Sequence, residues 1–192
     1  MKTLLISASI MAAAFVPAAA QAQALPAAIV AVVDLDKVTS ECTACKSANA
    51  ALQSQLTAEQ TREKTLGAPL ETERASIQAA VDALKGKEPD AALQTRIKAF
   101  QAKAQQAQEE VERSRAQLQA NQAYIRKQIA DKLGPIYSQV MNRRGANILV
   151  EQGATLASGA TLDVSNDVLA ALNTALPSVA TTAPAATTIQ GR

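Results

Sequence analysis

The sequence predicts an α+β protein in which a small β-containing body carries a long, protruding helical hairpin folded as an antiparallel coiled coil. Two short apolar runs, residues 29–33 and 148–150, have the composition of β-strands but lie about a hundred residues apart. The segment between them repeats apolar residues at heptad spacing, which is typical of coiled-coil helices. Because neither strand has a partner near it in sequence, the chain must leave the body along one helix and return along another.

Residues 1–24 have the features of a secretory signal peptide. Lys2 supplies a positive charge, residues 4–16 are apolar, and small-x-small cleavage motifs end at Ala22 and Ala24. The apolar run is shorter than the roughly 20 residues that a transmembrane helix needs. We therefore expect this segment to be cleaved and the mature protein to be exported.

The composition argues against an enzyme. The chain contains no His, which excludes Ser-His-Asp and Cys-His catalysis and His-ligated zinc. It also offers no nucleophile–base pair or phosphate-binding loop, so we expect no catalytic residue, no cofactor and no metal. After cleavage of the signal peptide the aromatic residues are Phe100, Tyr124 and Tyr137. Because aromatic side chains supply much of the area of globular cores, a large compact core is not expected.

The charge of the chain is unevenly distributed, although its formal net value is only +2. From Arg113 to Arg144, seven basic residues stand against a single acid, Asp131. Two interpretations are open. The run is either the solvated surface of a coiled coil or a basic stripe that attracts acidic partners or anionic lipid head groups.

The outgoing helix is predicted to begin after an N-cap at Thr39 or Ser40. Heptad numbering from Cys42 places apolar residues at many a and d positions. Gly67 and Pro69 interrupt this pattern and predict a bend. Some a and d positions hold polar residues, which a tight coiled coil excludes: Asn49, Glu59, Glu63 and Glu73.

The turn of the hairpin is predicted at residues 86–90, with Asp90 as the N-cap of the return helix. The return seam of apolar residues begins at Leu93 and continues in steps of four and three to Ile125. The Gly-Pro pair at 134–135 predicts a second bend. At ~1.5 Å rise per residue, each arm of the hairpin would extend roughly 65–75 Å.

Beyond the hairpin, residues 147–151 predict the returning strand, residues 155–157 a further β-like segment, and Ser165 the N-cap of a short helix. The chain then becomes rich in Ala, Thr and Pro with almost no charge, which predicts disorder. The predicted organisation is a signal peptide (1–24), a discontinuous body (25–39 plus 146–176), a hairpin arm (40–145) and a disordered tail (177–192).

The two ends of the hairpin carry a family resemblance. The first strand is Ile-Val-Ala-Val-Val-Asp at residues 29–34, an Ile-Leu-Val strand returns at 148–150, and a helix starts with Asp-Val-Ser-Asn-Asp-Val-Leu at 163–169. In an exported chain with a long hairpin between its strands, this arrangement resembles the Skp/OmpH-like periplasmic chaperones. The resemblance covers residues 25–176.

The resemblance implies an ATP-independent holdase of the periplasm, which keeps unfolded outer-membrane proteins from aggregating. It also implies a homotrimer, in which strands from three chains form a central body and three hairpins surround a cavity. The strand residues are too few to bury one another within one chain, and small bodies commonly compensate by oligomerising. The expected trimer-body residues are Ile29, Val30, Val32, Val33, Ile148, Leu149 and Val150.

The expected partners are unfolded outer-membrane β-barrel proteins and, weakly, an anionic lipid surface, with no nucleic acid. Client contacts are expected to be spread along the arms, because many weak contacts can act together. The candidate contact residues are Leu52, Leu66, Leu93, Phe100, Leu118, Arg126 and Lys127. The alternative interpretation, which is favoured for each apolar residue taken singly, is that these side chains hold the two helices of the hairpin together. The alternative function is an exported coiled-coil structural or adaptor protein of the cell envelope. Such a spacer would need docking ends on a continuous rod, whereas both ends of this hairpin return to one body.

Cys42 and Cys45 form the one motif that could carry chemistry. A dithiol at a helix N-terminus has a lowered thiol pKa, but thioredoxin-like proteins need a βαβ scaffold that this sequence does not offer. The other interpretations are a short-range disulfide in an oxidising compartment, two small apolar residues at a and d positions, and a bridge between chains near the trimer axis.

Overall fold

The computed structural model describes residues 25–184, so the predicted signal peptide lies outside the described residues. This part of the chain is mostly helical, with one two-stranded sheet. In chain order, its strands and α-helices are β1 (Val30–Val33), α1 (Leu35–Glu41), α2 (Thr43–Ala83), α3 (Ala91–Arg144), β2 (Ile148–Glu151) and α4 (Ser165–Ala175).

The sheet joins strands that are distant in sequence. β1 and β2 pair in parallel, with Val30 opposite Ile148. Parallel neighbours require a crossover connection, and here the crossover consists of α2 and α3. The other edge of β1 is partly covered, since Val164 donates its N–H to the carbonyl oxygen of Val32 at 2.9 Å. Within residues 25–184, β2 pairs on one edge only.

The body forms its core within one chain. α1, α4 and the body-proximal ends of α2 and α3 pack against β1, and Val38, Val140 and Leu172 are fully buried among them. The strand residues were expected to be too few to bury one another within one chain, but for Val32 and Val33 the helices of the same chain supply the missing apolar surface. Val32 and Val33, expected at an interface between chains, are only 3% and 2% exposed in the single chain.

A polar joint connects β1 to α4. Ser165 was predicted as the N-cap of α4 but is its first residue. Its buried hydroxyl accepts a hydrogen bond from the N–H of Asp34 at 2.8 Å and donates one to the carboxylate of Asp163 at 2.5 Å. Together with a bond from the N–H of Ser165, this contact lowers the pKa of Asp163.

The N-cap predicted at Thr39 or Ser40 is wrong, because both residues lie inside α1. The carboxylate of Asp34 accepts the N–H of Lys37 at 2.8 Å and caps α1, so the chain is helical from Leu35 onward. The residues after β1 therefore form a separate short helix before α2.

The segment after β2 also differs from its prediction. Residues 155–157, predicted as β-like, form no strand. The chain turns out of β2 through a 3-10 helix at Gln152–Ala154, and a second 3-10 helix at Ala160–Leu162 leads to α4.

We call α2, α3 and the turn between them the arm. The carboxylate of Asp90 accepts the N–H of Leu93 at 2.8 Å, which confirms the predicted cap of α3. Pro69 and Pro135 lie inside continuous helices, where each removes one N–H from the hydrogen-bond ladder. Among the described helices, none is long and apolar enough to cross a membrane.

The prediction of a disordered tail is wrong for residues 177–184, which we call the strap. The strap runs from α4 along the arm, and Val179 packs against the body core. Its backbone is bound by side chains of α2 and α3. The remaining residues of the predicted tail, 185–192, lie outside the described part of the chain.

Candidate functional site

The candidate client-contact residues lie along the seam between α2 and α3. Their side chains are all half-buried and reach this seam from both helices: Leu52, Leu66, Leu93, Phe100 and Leu118. Four of them line separate grooves between the two helices, namely Leu52, Leu66, Leu93 and Leu118. The structure therefore distributes the predicted apolar residues along the arm and does not gather them into one pocket.

The largest of these grooves lies next to the body and has a volume of about 580 Å³. Leu52 from α2 and Ile125, Ile129 and Leu133 from α3 line it, together with Arg126 and polar side chains such as Asn49. The groove thus combines aliphatic side chains with an exposed cation, a combination that suits a segment with apolar and acidic residues.

The polar residues of the α2 seam connect the two helices. Glu63 forms an ion pair with Arg115 at 2.6 Å, and Glu73 forms one with Arg96 at 2.7 Å. Because residues later in α2 pair with residues earlier in α3, these contacts fix the alignment of the two helices. The contact with Arg96 lowers the pKa of Glu73.

Glu59, the other acid of this seam, is buried and accepts a hydrogen bond from the hydroxyl of Ser114. One oxygen of its carboxylate, Oε1, is buried without a hydrogen-bond partner among the described residues. Glu59 therefore lies at a position where an additional donor could bind.

The basic run on α3 is partly neutralised. Arg115, Lys127 and Arg144 pair with Glu63, Asp131 and Asp167 respectively. The other basic residues of the run are exposed and make no ion pair within residues 25–184: Arg113, Arg126, Lys132 and Arg143. Of the two predicted contact cations, Arg126 thus lacks an ion pair within residues 25–184, whereas Lys127 is paired with Asp131 on its own helix at 2.7 Å.

The predicted body residues divide into two groups. Val32 and Val33 are buried in the single chain, and Val30, Leu149 and Val150 are half-buried. The remaining two, Ile29 and Ile148, are 54% and 42% exposed. They are adjacent, since the N–H of Ile148 donates to the carbonyl oxygen of Ile29 at 3.2 Å.

Cys42 and Cys45 form a disulfide within the chain, with their Cα atoms 5.1 Å apart. Both residues are buried in the body core, and the sulfur of Cys42 accepts the N–H of Cys45 at the start of α2. Burial removes the access that a redox-active pair needs. Within the described part of the chain, no cluster of His, Cys, Asp or Glu has the arrangement of a metal site.

A second set of polar residues, which the sequence did not single out, binds the strap. Gln55 on α2 and Gln117, Asn121 and Gln128 on α3 form hydrogen bonds to its backbone. A cavity of about 260 Å³ lies beside the strap, and Glu59 is one of its lining residues. Amide side chains on a helical arm are ordinary solvated residues by composition, so no pattern distinguished them.

The chain matches the family model described as "Outer membrane protein (OmpH-like)" over residues 29–172. It is also similar to the crystal structure of an OmpH-like protein from Caulobacter crescentus CB15, described as a candidate outer membrane chaperone. The two chains share 17% sequence identity with a TM-score of 0.67, and the match covers 82% of this chain and 90% of that one. No curated protein matches the sequence. Since the family model spans most of the chain, the protein belongs to the Skp/OmpH-like family.

Proposed function

We propose that the protein is an ATP-independent holdase chaperone of the periplasm. It binds unfolded outer-membrane proteins between its helical arms and prevents their aggregation. The observation that carries this proposal is the series of open, Leu-lined grooves along the arm. A catalytic site needs one enclosed pocket with converging polar groups, whereas repeated shallow grooves suit many weak contacts with an extended chain. Membership of the OmpH-like family supports the same function.

The proposed working form is a homotrimer with three antiparallel coiled-coil arms around a central cavity. The support comes from two features of the sheet: within residues 25–184 β2 pairs on one edge only, and the side chains of Ile29 and Ile148 are exposed. An unpaired strand edge with apolar side chains is a ready template for pairing with another chain. We place the interface at Ile29, Val30, Ile148, Leu149 and Val150, and leave out the buried Val32 and Val33.

Charge assists capture in this proposal. Arg126, Lys132 and Arg143 are exposed on α3 without an ion-pair partner among the described residues. Such cations raise the rate of encounter with acidic unfolded segments more than they deepen affinity. The same residues would give a weak, salt-sensitive contact with anionic lipid head groups.

The test is suppression of aggregation. An unfolded outer-membrane β-barrel protein is diluted from urea into buffer without nucleotide, and light scattering is followed with and without the mature protein. We expect scattering to be abolished at about one trimer per client. If the intact protein leaves aggregation unchanged, the holdase function is wrong, and a structural role in the envelope becomes the better explanation.

A further inference from the structure

The strap lies across α2 and α3 without regular secondary structure and bends at Thr181 and Thr182, and side chains of the arm bind its backbone. Gln128 binds both polar groups of Ala180: its Oε1 accepts the N–H at 2.9 Å and its Nε2 donates to the carbonyl oxygen at 2.9 Å. At Ala183, the N–H donates to Asn121 Oδ1 at 2.8 Å, and the carbonyl oxygen accepts from Gln117 Nε2 at 3.3 Å.

A further contact extends this binding to the other helix of the arm. Gln55 on α2 donates its Nε2 to the carbonyl oxygen of Thr181 at 3.1 Å, and its Oε1 accepts from Asn121 Nδ2 at 2.9 Å. Asn121 is buried, so the bonds that position it also fix where the strap can bind. The arm thus presents a prearranged set of amide groups from both helices.

These contacts recognise main chain and not side chains. Ala180 and Ala183 offer only methyl groups, and no strap side chain forms a hydrogen bond with the arm among the described residues. Main-chain hydrogen bonds are available to any unfolded polypeptide that adopts the same backbone path. We call the surface of α2 and α3 that binds the strap the groove. Its hydrogen-bonding groups could bind the backbone of an unfolded chain of almost any sequence.

The strap does not fill the whole groove. The cavity of about 260 Å³ beside the strap is lined by Gln55, Glu59, Ser114 and Thr182, among others. Glu59 also carries a buried Oε1 atom without a hydrogen-bond partner among the described residues. A side chain longer than that of Thr182 would fill more of this cavity.

We propose that this groove binds extended segments of unfolded clients, and that the strap occupies it until a client takes its place. The proposal rests on the proposed holdase function for the identity of the client. Because the strap follows α4 almost directly in the chain, its effective concentration at the groove is high, and a free segment must compete with it. The strap thus covers the groove between clients and sets a threshold for binding.

Amide hydrogen exchange in the full mature chain tests the displacement directly. We expect the N–H groups of Ala180 and Ala183 to be protected in the free protein. With a saturating unfolded outer-membrane β-barrel protein, their exchange becomes at least about tenfold faster. The N–H of Val168, which bonds to Val164 within the body, serves as the internal reference and stays unchanged. Unchanged exchange at Ala180 and Ala183 under client saturation would overturn the proposal.

A matched pair of strap variants tests the same point by affinity. The double change Ala180→Pro and Ala183→Pro removes both N–H donors, whereas Ala180→Ser with Ala183→Ser keeps them. Since each of the two lost bonds is worth about 1 kcal/mol, the Pro variant releases the strap and binds client up to about thirtyfold more tightly. The Ser variant binds like the parent protein. Equal client affinity for the two variants would contradict a competing strap.

A labelled peptide of residues 177–184 separates this proposal from the holdase function. We expect it to bind the Pro variant in fluorescence anisotropy and to be displaced by client. If the Pro variant suppresses aggregation but does not bind the peptide, the groove proposal is wrong and the holdase function stands. If the peptide binds but no client is held or displaces it, the client half of the proposal fails together with the holdase function.

Discussion

Among single residues, Asp163 should make the stability of the body depend on pH. Hydrogen bonds from the hydroxyl and N–H of Ser165 favour its charged form and lower its pKa. A carboxyl group whose pKa is lower in the folded protein stabilises the fold when the pH is above the ordinary pKa of 3.8. That stabilisation is lost as the pH falls through the lower folded pKa.

We expect the melting temperature to fall as the pH is lowered from about 5 to about 2, and to fall less in the Asp163→Asn variant. The variant lacks the titrating group, so it should be less stable than the parent protein near neutral pH and lose less on acidification. Circular dichroism melts across this pH range measure both slopes. The same slope in both proteins would show that Asp163 does not carry the effect.

Glu59 is a residue whose removal should stabilise the arm. Its Oε1 is buried without a partner among the described residues, at a seam position where a coiled coil prefers Leu. Glu59→Leu removes this unsatisfied acceptor but also loses the bond from Ser114 and a 3.9 Å ion pair with Arg62, so it should raise the free energy of unfolding by about 1 kcal/mol. Thermal and denaturant unfolding measure this change.

The matched control for that variant is Glu63→Leu. The carboxylate of Glu63 pairs with Arg115 at 2.6 Å across the arm, so its loss should leave stability unchanged or reduce it slightly. Destabilisation by Glu59→Leu equal to or larger than that of Glu63→Leu would contradict the assignment of Glu59 as the unsatisfied group.

At the scale of elements, the exposed edge of β2 and the buried face of β1 should respond differently to a charge. Ile148→Asp places a carboxylate at the 42% exposed position beside Ile29 and should dissociate the proposed trimer without loss of helicity. Val32→Asp places one at a 3% exposed position in the core and should unfold the body. Analytical ultracentrifugation and circular dichroism distinguish the two results.

The control for the edge variant is Leu156→Asp, since Leu156 is fully exposed and lies outside β2. It should leave the assembly unchanged. An Ile148→Asp protein that sediments like the parent would remove β2 from the proposed interface.

The elements that the sequence predicted correctly are those with a strong local pattern. The periodic spacing of apolar residues predicted the strand at Ile148–Glu151 and the long helices, and the turn residues predicted the Asp90 cap. α1 was missed because Leu35 and Val38 follow an apolar strand directly, and the capping role of Asp34 depends on its geometry. The strap was missed because its contacts use backbone groups, which leave no trace in side-chain pattern.

For the candidate site, the Leu positions were predictable from heptad spacing, since an amphipathic helix must pair its apolar stripe. The cross-arm roles of Glu63 and Glu73 were not, because both looked like defects until their partners on α3 were known. The spacing of residues in the sequence shows which face of a helix is apolar. How two helices align along each other is determined by their packing in three dimensions.

At the scale of the whole molecule, charge on α3 should set the speed of capture. Arg126→Glu with Lys127→Glu reverses two cations of the basic run, and Arg126 is the one that lacks an ion pair among the described residues. We expect client capture to become several-fold slower and less sensitive to salt, with a smaller change in affinity. Stopped-flow fluorescence at low and high salt measures the rates. An unchanged capture rate at low salt would exclude electrostatic steering by this part of the arm.

The arm should also move relative to the body. Pro69 and Pro135 each remove a hydrogen bond from a helix of the arm, and most of the arm lacks a buried core. We expect arm amides, measured by hydrogen exchange, to open faster than those of Val32 and Val33 in β1. Uniform protection from body to turn would instead indicate a rigid spacer.

The central claim, that clients are held by contacts spread along the arm, is tested most directly by site-specific photo-crosslinking. A photoreactive residue is placed singly at Leu52, Leu66, Leu93, Phe100 and Leu118, and each protein is irradiated with an unfolded outer-membrane β-barrel protein. We expect crosslinks to the client from all five positions, with comparable yields. Crosslinks confined to one position, in variants that all retain parent helicity and assembly, would contradict distributed holding and indicate a single binding pocket.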